Sequence, residues 1–355
     1  MAAVRRFPGR RTKSSHGLLA AVVLGLLAIA APAAAESVAV TFDDLPTMAL
    51  TGSLDYTTTT TRRLLAGLVR QRIRATGFVN ENKLEGSDRA RRVALLSRWL
   101  NAGMDLGNHS YSHLSLTNTP LAVYIGDVGK GERVTRVLLA ARGRRPRWYR
   151  HPYLETGSTP ETRQGFEAWL SHHGYRVAPV TMENADWVFA LPYDDAVLRG
   201  DAAQAEHVRQ AYLAFTAQSV AWYRQAAVDL FGRRPSLVLL LHASRLNADC
   251  IDRLAELLRA DGLKPVSLDR AVADRAYATP DAYAGPDGDD WLERWARTLN
   301  KTLPWDSSPE PPADIVAADA RLEPNDDPPA ARAAAEPAAL SQASPAQAAG
   351  PAPAV

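Results

Sequence analysis

The stretch Val38-Ala39-Val40-Thr41-Phe42-Asp43-Asp44-Leu45-Pro46 places two carboxylates where an apolar run ends. Such a run is typical of a buried strand, and parallel α/β barrels carry their catalytic side chains at strand ends. Neighbouring strand residues face opposite ways, so Asp43 and Asp44 can serve one site only if the backbone turns there. An exposed turn before Pro46 is the alternative reading of the pair taken alone. The rest of the chain must therefore decide between a turn and a site.

Short runs with strand character alternate with amphipathic stretches along the chain. The predicted strands span residues 37–42, 75–79, 104–107, 147–150, 176–180, 236–241 and 265–268. The predicted helices include residues 62–72, 89–101, 121–141, 202–230 and 250–260. This βαβα alternation predicts a parallel sheet or barrel of seven strands, in a single domain over residues 36–300.

The N-terminal residues 1–35 have the order of a signal peptide. Five basic residues without an acid come first, an apolar run over residues 18–30 follows, and Ala33, Ala34 and Ala35 precede Glu36. We expect cleavage after Ala35 and export to the periplasm or secretion. An uncleaved anchor is the alternative, but the apolar run is short for a span of about 20 residues. Paired arginines leave the Sec and twin-arginine routes both open.

The charge balance argues against a nucleic-acid partner or an anionic membrane surface. The formal net charge is +2, and loss of the five basic residues of the leader changes it to −3. Cys250 is the only cysteine, so no internal disulfide forms, and we expect it to be a buried small hydrophobe. No stable membrane span after cleavage and no protein partner are predicted.

The C-terminal residues 301–355 are rich in Ala and Pro and have no lasting period. This composition predicts a disordered tail. Association with a cell wall is an alternative role, but such segments are more often passive linkers.

Polar side chains follow four further predicted strands. His109 and His113 come after the third strand, and two imidazoles four residues apart can share one face of a helical turn and bind one metal ion. Arg150 follows the fourth strand, Asp186 follows the fifth, and His242 ends the apolar strand at 236–241. A lone histidine in such a place is more often structural than catalytic. Five strand ends in succession with such residues favour a functional site.

The sequence resembles the polysaccharide deacetylase family, the NodB homology domain of carbohydrate esterase family 4. The residues that carry the resemblance occur in the family's order: Thr41-Phe42-Asp43-Asp44, His109-Ser110-Tyr111-Ser112-His113, Arg150-His151-Pro152-Tyr153, Asp186-Trp187 and Leu240-Leu241-His242. The resemblance implies a distorted (β/α)7 barrel of the NodB-homology type. The family often shows an acid three residues before the aspartate of the Asp-Trp pair, and this chain has Glu183 there and Asn184 next.

The resemblance also implies roles for the residues of these motifs. Asp44, His109 and His113 are the implied ligands of a divalent metal, most readily Zn, with Co, Ni or Mn as alternatives. Asp43 is the implied general base and His242 the general acid. Arg150 would orient the base, Asp186 would tune His242, the Tyr153 backbone amide would bind the oxyanion, and Trp187 and Leu240 would line the acetyl pocket.

These roles predict hydrolysis of N-acetyl groups on a glycan by metal-activated water, with an acetylated glycan as the substrate. An O-acetyl xylan or carbohydrate esterase, a hydrolase of non-sugar amides and a non-catalytic glycan-binding module are the alternatives.

Substrate choice is expected to depend on loops at residues 48–56, 81–83 and 190–198. Within them, we expect Glu81 to be a solvated loop acid rather than a substrate contact. His172, His173 and His207 are expected to have surface or packing roles.

Overall fold

The structure is a computed structural model that describes residues 36–322. The strands are β1 Ser37–Leu45, β2 Thr76–Val79, β3 Asp105–Asn108, β4 Trp148–Tyr149, β5 Arg176–Val177, β6 Leu237–His242 and β7 Lys264–Val266. The helices are α1 Leu54–Arg70, α2 Arg89–Asn101, α3 Leu121–Lys130, α4 Arg133–Ala140, α5 Pro160–His172, α6 Asp186–Arg199, α7 Ala202–Phe231, α8 Arg245–Ala260, α9 Leu268–Ala271, α10 Trp291–Thr298 and α11 Ala313–Leu322. Strands and helices alternate over most of the chain, as the sequence pattern predicts.

The seven strands form one sheet with parallel pairing throughout, in the order β5-β4-β3-β2-β1-β6, and β7 pairs with the first residues of β1. A bridge between Met182 and Leu239 joins the segment after β5 to β6. Two hydrogen bonds of 3.0 Å accompany it, from Thr181 N to Val238 O and from Leu240 N to Met182 O. The sheet thus curls into an irregular barrel, and the predicted distorted (β/α)7 barrel is confirmed.

Alternate strand residues face the lumen and the helices, which gives the barrel two cores. Ala39, Phe78, Trp148 and Val238 belong to a small buried cluster between the strands. A Cβ on Gly107 would lie 2.5 Å from the ring of Phe78. The glycine in β3 therefore leaves the space that this ring occupies. The larger cluster packs the opposite strand faces against the helices. Because Asp43 follows Ala39 by an even number of residues, it shares the lumen side of β1.

Short polar side chains cap several of the helices. Ser53 caps α1, Thr159 caps α5, Asp201 caps α7 and Ser244 caps α8, each by accepting a hydrogen bond from a first-turn amide. Such caps satisfy amides that have no partner within the helix. Ser53 and Ser244 thus fix where the chain enters α1 after β1 and α8 after β6, and both strands carry candidate site residues.

The predicted strands are confirmed with small shifts of their ends, whereas several helical predictions need correction. Residues 190–198, predicted as a loop, belong to α6, because its buried side chains pack against neighbouring helices. The predicted helix at 121–141 is two helices, α3 and α4, separated at Gly131. A Cβ on Gly131 would lie 2.4 Å from the backbone of Ser110, so this break lets the chain approach the His109 loop.

The predicted tail boundary at residue 300 is wrong, because the described structure continues to Leu322. Leu303 and Ile315 are buried in the main core, and α11 packs against α6. The apolar residues of this segment show no helical or strand periodicity in the sequence, because only a few of them enter the core. The predicted leader at 1–35 and the tail residues 323–355 lie outside the described residues. Between residues 36 and 322, no helix has the length and apolar character needed to cross a membrane.

Candidate active site

The side chains of Asp43 and Asp44 can enter the same site because the backbone turns between the two residues. Asp44 has a left-handed φ of 69°, at the point where the register of β1 against β2 shifts. A left-handed residue reverses the alternation of a regular strand, so successive side chains no longer face opposite sides. This confirms the backbone turn that the sequence requires for a shared site.

His109 and His113 converge through an irregular loop, so the predicted helical turn is wrong. Ser110 and His113 both have left-handed φ, at 63° and 57°. Asn108 Oδ1 accepts from the Ser110 amide at 2.8 Å, and Ser110 Oγ accepts from the His113 amide at 2.9 Å. Asp127 Oδ2 accepts from the amides of residues 111 and 112. These side chains hold the loop in a shape that propensity alone does not favour.

Asp44, His109 and His113 form a cluster that could hold a divalent metal ion. Asp44 Oδ1 lies 3.8 Å from Nε2 of each histidine, and the three candidate ligand atoms lie within 4.8 Å of one another. Asp44 Oδ1 is buried and has no hydrogen-bond partner within the described chain. An unsatisfied buried carboxylate oxygen is costly, and a cation between the three side chains would satisfy it. A carboxylate and two imidazoles leave positions open for water and substrate, as catalytic zinc-type sites require.

The protonation states of this cluster suit metal binding. Burial lowers the pKa of His109 to about 4 and that of His113 to about 3, so both imidazoles are neutral near neutral pH. Burial acts to raise the pKa of Asp44, but the Lys83 ammonium, the foremost of several opposing charges, keeps that pKa low. His109 Nδ1 bonds to the Arg150 carbonyl oxygen at 2.9 Å, which leaves Nε2 for the metal. Lys83 Nζ lies 3.1 Å from Asp44 Oδ2, which leaves Oδ1 facing the histidines.

Asp43 is held by Arg150, which is fully buried. The Arg150 Nη1 atom donates to both carboxylate oxygens of Asp43, at 3.3 and 3.2 Å. Arg150 itself is fixed by bonds to the Ala178 carbonyl oxygen at 2.9 Å and Thr41 Oγ1 at 3.1 Å. Burial raises the pKa of Asp43 to about 6, and the charge of Arg150 opposes that rise. A carboxylate fixed in this way can accept a proton near neutral pH.

His242 lies beside Asp43 because the two are register partners on β1 and β6. Its Nδ1 bonds to Asp186 Oδ1 at 2.8 Å, and its backbone amide donates to Asp186 Oδ2 at 2.7 Å. Burial acts to lower the pKa of His242, but the Asp186 carboxylate outweighs it and the pKa rises to about 9. His242 is therefore protonated at neutral pH, with Nε2 directed away from Asp186.

The remaining predicted residues lie around this centre. Tyr153 has a left-handed φ of 54°, and its half-exposed ring meets the His113 ring edge-on, with ring centres 4.5 Å apart. Leu240 is buried and shares the face of β6 with His242. Trp187 is half-buried against the main core at the start of α6. The structure thus brings one group of motif residues together at the same end of the barrel: Asp43, Asp44, His109, His113, Arg150, Tyr153, Asp186 and His242.

Sequence reasoning overlooked Asn247 and misread Glu81. Asn247 Nδ2 donates to Asp186 Oδ2 and, at 2.9 Å, to the His242 carbonyl oxygen. From the first turn of α8, Asn247 therefore fixes Asp186 relative to His242. A polar residue in the first turn of an amphipathic helix is common, and no sequence signal distinguishes this one. Glu81 is buried and accepts from the amides of Val134 and Thr135 at 2.9 and 2.7 Å. The expectation of a solvated loop acid was therefore wrong.

The other histidines and the cysteine behave as predicted. His172 and His173 are exposed at the end of α5, and His207 pairs with Asp314 at 2.8 Å across α7 and α11. Cys250 is a buried free thiol. None of them takes part in the cluster at the barrel end.

The fold and the site together define a parallel α/β barrel with a cluster of possible metal ligands at one end. Residues 30–176 of this chain match the family model described as polysaccharide deacetylase. This match confirms the resemblance to the polysaccharide deacetylase family. It covers the Asp43–Asp44, His109–His113 and Arg150–Tyr153 motifs, whereas Asp186 and His242 follow it along the chain.

Solved structures of related description also resemble the chain. A family 4 carbohydrate esterase from Streptomyces lividans, in complex with acetate, is 22% identical, with 66% of this chain and 95% of that chain covered and a TM-score of 0.43. A polysaccharide deacetylase from Bacillus cereus is 20% identical, with coverages of 65% and 91% and a TM-score of 0.46. A peptidoglycan deacetylase from Bacillus subtilis is 21% identical, with coverages of 68% and 91% and a TM-score of 0.44. No curated protein matches the sequence.

Proposed function

We propose that this protein is a metal-dependent hydrolase that removes N-acetyl groups from a carbohydrate. The observation that carries the proposal is the pairing of Asp43 with His242 on adjacent strands, beside the cluster of Asp44, His109 and His113. A base and an acid on two sides of a metal-ligand cluster are the groups that amide hydrolysis needs. The match to the polysaccharide deacetylase family supports a carbohydrate as the acetylated substrate.

Asp43 is the proposed general base. A divalent metal held by Asp44, His109 and His113, most readily zinc, would polarise the acetyl carbonyl and lower the pKa of water. Asp43 takes a proton from the attacking water, and Arg150 holds its carboxylate in place for that transfer. The water oxygen forms a bond to the carbonyl carbon, whose own oxygen becomes negatively charged. The backbone amide of Tyr153 is the proposed donor to this oxygen.

His242 is the proposed general acid. An amine is a poor leaving group unless it is protonated, so the carbon–nitrogen bond breaks as His242 Nε2 gives its proton to the sugar nitrogen. Asp186 stabilises the charged imidazole before the transfer. The products are acetate and a free amino sugar. Trp187 and Leu240 are the proposed apolar contacts of the acetyl methyl group.

The proposal includes the cellular context that the sequence predicts. Residues 1–35 are proposed to direct export and to be removed after Ala35, which places the enzyme in the periplasm or outside the cell. The mass of the exported chain tests this, because a chain that retains residues 1–35 contradicts it.

Acetate release from glycans tests the activity. The full chain loaded with Zn²⁺ should release acetate from N-acetylglucosamine oligomers, because protonated His242 can protonate the amine as it leaves. Asp43→Asn should lower kcat by roughly 10²- to 10⁴-fold, the range expected for loss of a general base. Asp229→Asn, at an exposed carboxylate on α7, is the matched control and should retain full activity.

Three outcomes separate the alternatives. Absence of acetate from every glycan and every small amide, with one metal bound per chain, contradicts the proposal and leaves a binding module. Release from O-acetyl xylan but from no N-acetylated glycan identifies an esterase. Release only from small non-sugar amides identifies an amide hydrolase on the same barrel.

A further inference from the structure

The segment of residues 283–290, here called the C-terminal strap, lies against the loop of residues 152–157 that carries Tyr153. The Gly285 amide donates to the Gly157 carbonyl oxygen at 3.2 Å, and Thr117 Oγ1 donates to the Pro286 carbonyl oxygen at 3.0 Å. At the far end of the strap, the Trp291 amide donates to the Val180 carbonyl oxygen at 2.7 Å. The strap is thus fixed at several points along its length.

Gly288 is the place where the strap comes closest to the loop. A Cβ built on Gly288 would lie 1.6 Å from the Tyr153 carbonyl oxygen and 2.8 Å from its carbonyl carbon. Both are backbone atoms, which cannot turn aside as the end of a flexible side chain can. The backbone of Gly288 therefore packs directly against the Tyr153 carbonyl group. Only glycine fits at this position without displacing that group.

The loop beneath Gly288 is in a conformation that needs support. Tyr153 and Leu154 are successive non-glycine residues with left-handed φ, at 54° and 55°. Such a pair is intrinsically unfavourable and persists only where surrounding structure imposes it. The His113 ring contacts the Tyr153 side chain, and Gly288 contacts the Tyr153 carbonyl oxygen. Further along the loop, the Glu155 carboxylate accepts from Ser115 Oγ and the Thr117 amide.

We propose that Gly288 is a positioning residue. Its contact with the Tyr153 carbonyl group keeps Tyr153 in the left-handed conformation in which the Tyr153 amide can donate to the reacting carbonyl oxygen. The inference rests on the proposed function for its catalytic consequence, but the contact itself does not. Gly288 lies outside the segment matched by the family model, at residues 30–176, so the support comes from a part of the chain that the match does not cover. Small displacements of an oxyanion donor reduce turnover more than substrate binding.

The test compares Gly288→Ala with Gly126→Ala in the full metal-loaded chain. Gly126 lies in α3, and a Cβ there meets nothing within 4 Å, so it is a matched control for the same change. For N-acetylglucosamine oligomers, Gly288→Ala should lower kcat roughly 10- to 100-fold with KM changed less than about threefold. Metal content should stay at the wild-type value, and Gly126→Ala should match wild type in every respect.

A second readout does not depend on activity. Selective ¹⁵N-tyrosine labelling gives one amide resonance for each of the 11 tyrosines, and Tyr153→Phe identifies that of Tyr153. Gly288→Ala should move the Tyr153 resonance, whereas Gly126→Ala should not. If Gly288→Ala does not fold, Thr117→Val, which removes the bond to the Pro286 carbonyl oxygen, should move the same resonance and lower kcat by a smaller factor.

The outcomes keep the two proposals apart. A wild-type chain that releases no acetate overturns the proposed function, and the Tyr153 resonance then decides the positioning role alone. An active wild type with unchanged kcat in Gly288→Ala, or an unmoved Tyr153 resonance, overturns the role of Gly288. A fall in kcat with equal loss of bound metal also overturns it, because the effect would then come through the metal ligands.

Discussion

Asp43 and Asp44 are adjacent residues with different partners, and this difference separates their chemistry. Asp43 is tied to Arg150 in the lumen, whereas Asp44 is paired through Oδ2 with Lys83 and presents Oδ1 to His109 and His113. Two neighbouring carboxylates repel each other, and distinct cations on each relieve that repulsion. The proposed base, Asp43, and the proposed metal ligand, Asp44, therefore have separate counter-charges.

Removal of either histidine of the cluster should abolish stoichiometric metal binding. We expect His109→Ala and His113→Ala each to weaken metal affinity by more than roughly 100-fold, because even the loss of an outer partner of a ligand costs about 10- to 100-fold. His173→Ala, at an exposed histidine, is the control and should bind one metal per chain. Metal analysis after dialysis measures this, and unchanged metal content in either cluster variant shows the ligand assignment to be wrong.

The alkaline limit of activity should depend on Asp186. The pKa of His242 is raised to about 9, so its acidic proton is present at neutral pH and is lost as pH rises through about 9. Asp186→Asn removes the charge that raises this pKa, so activity should be lost at lower pH, toward the ordinary histidine value of about 6.5. The pH profile of kcat/KM measures the shift. Asp195→Asn, on the same helix but paired with Arg199, should leave the profile unchanged, and an unmoved limit in Asp186→Asn contradicts the role of Asp186.

At the scale of elements, the loops between strands and helices carry the site. In these loops, side chains accept hydrogen bonds from backbone amides that regular secondary structure does not pair. Asn108, Ser110 and Asp127 order the histidine loop. Asn247, from the first turn of α8, fixes Asp186 relative to His242. Glu81 accepts hydrogen bonds from two amides at the start of α4 and so joins the connection after β2 to the outer helices. Asn108, Ser110, Asn247 and Glu81 are buried, and these hydrogen bonds satisfy their polar groups.

Glu81→Ala should destabilise the fold, because it leaves the amides of Val134 and Thr135 without their acceptor. We expect a loss of about 2–4 kcal/mol in the free energy of unfolding, from about 1–2 kcal/mol for each unsatisfied amide. Denaturant titration measures it. Glu85→Ala, a nearby exposed acid, should change the value by less than about 0.5 kcal/mol. Equal effects of the two variants would show that Glu81 is not the acceptor that α4 requires.

At the scale of the whole molecule, the C-terminal region completes both the core and the site. The strap lies over the Tyr153 loop, and α11 packs against α6, which begins with Asp186. The Trp305 ring lies 4.6 Å from that of Trp222 on α7. Residues 267–322 are therefore part of the same folded body as the barrel.

Deletion of residues 301–355 should destabilise the protein, whereas deletion of 323–355 should not. The longer deletion removes Leu303 and Ile315 from the core, at a cost of about 1.5–3 kcal/mol for each buried side chain. The shorter one removes only residues that the sequence predicts to be a disordered tail. Thermal unfolding of both variants measures the difference. Equal melting temperatures would show that the segment from 301 to 322 adds nothing to stability.

The sequence by itself determined the seven strands and the residues at their ends. Short apolar runs such as 37–42 and 236–241 are local signals, and parallel pairing of such strands brings their carboxyl ends together. Asp43, His109, Arg150, Asp186 and His242 could therefore be named before any coordinates were known. The helical periodicity of α2 and α7 was equally readable.

Only the tertiary structure decided how these residues meet. The left-handed turns at Asp44, Ser110, His113 and Tyr153 are locally unfavourable, so propensity could not predict them. Contacts distant in sequence impose them: Gly131 against Ser110, Gly288 against Tyr153, and Lys83 against Asp44. Burial of Glu81 and Ile315 depends on partners more than 50 and 100 residues away along the chain. Such pairings have no local signature, because the energy that selects them is gained only when the barrel closes.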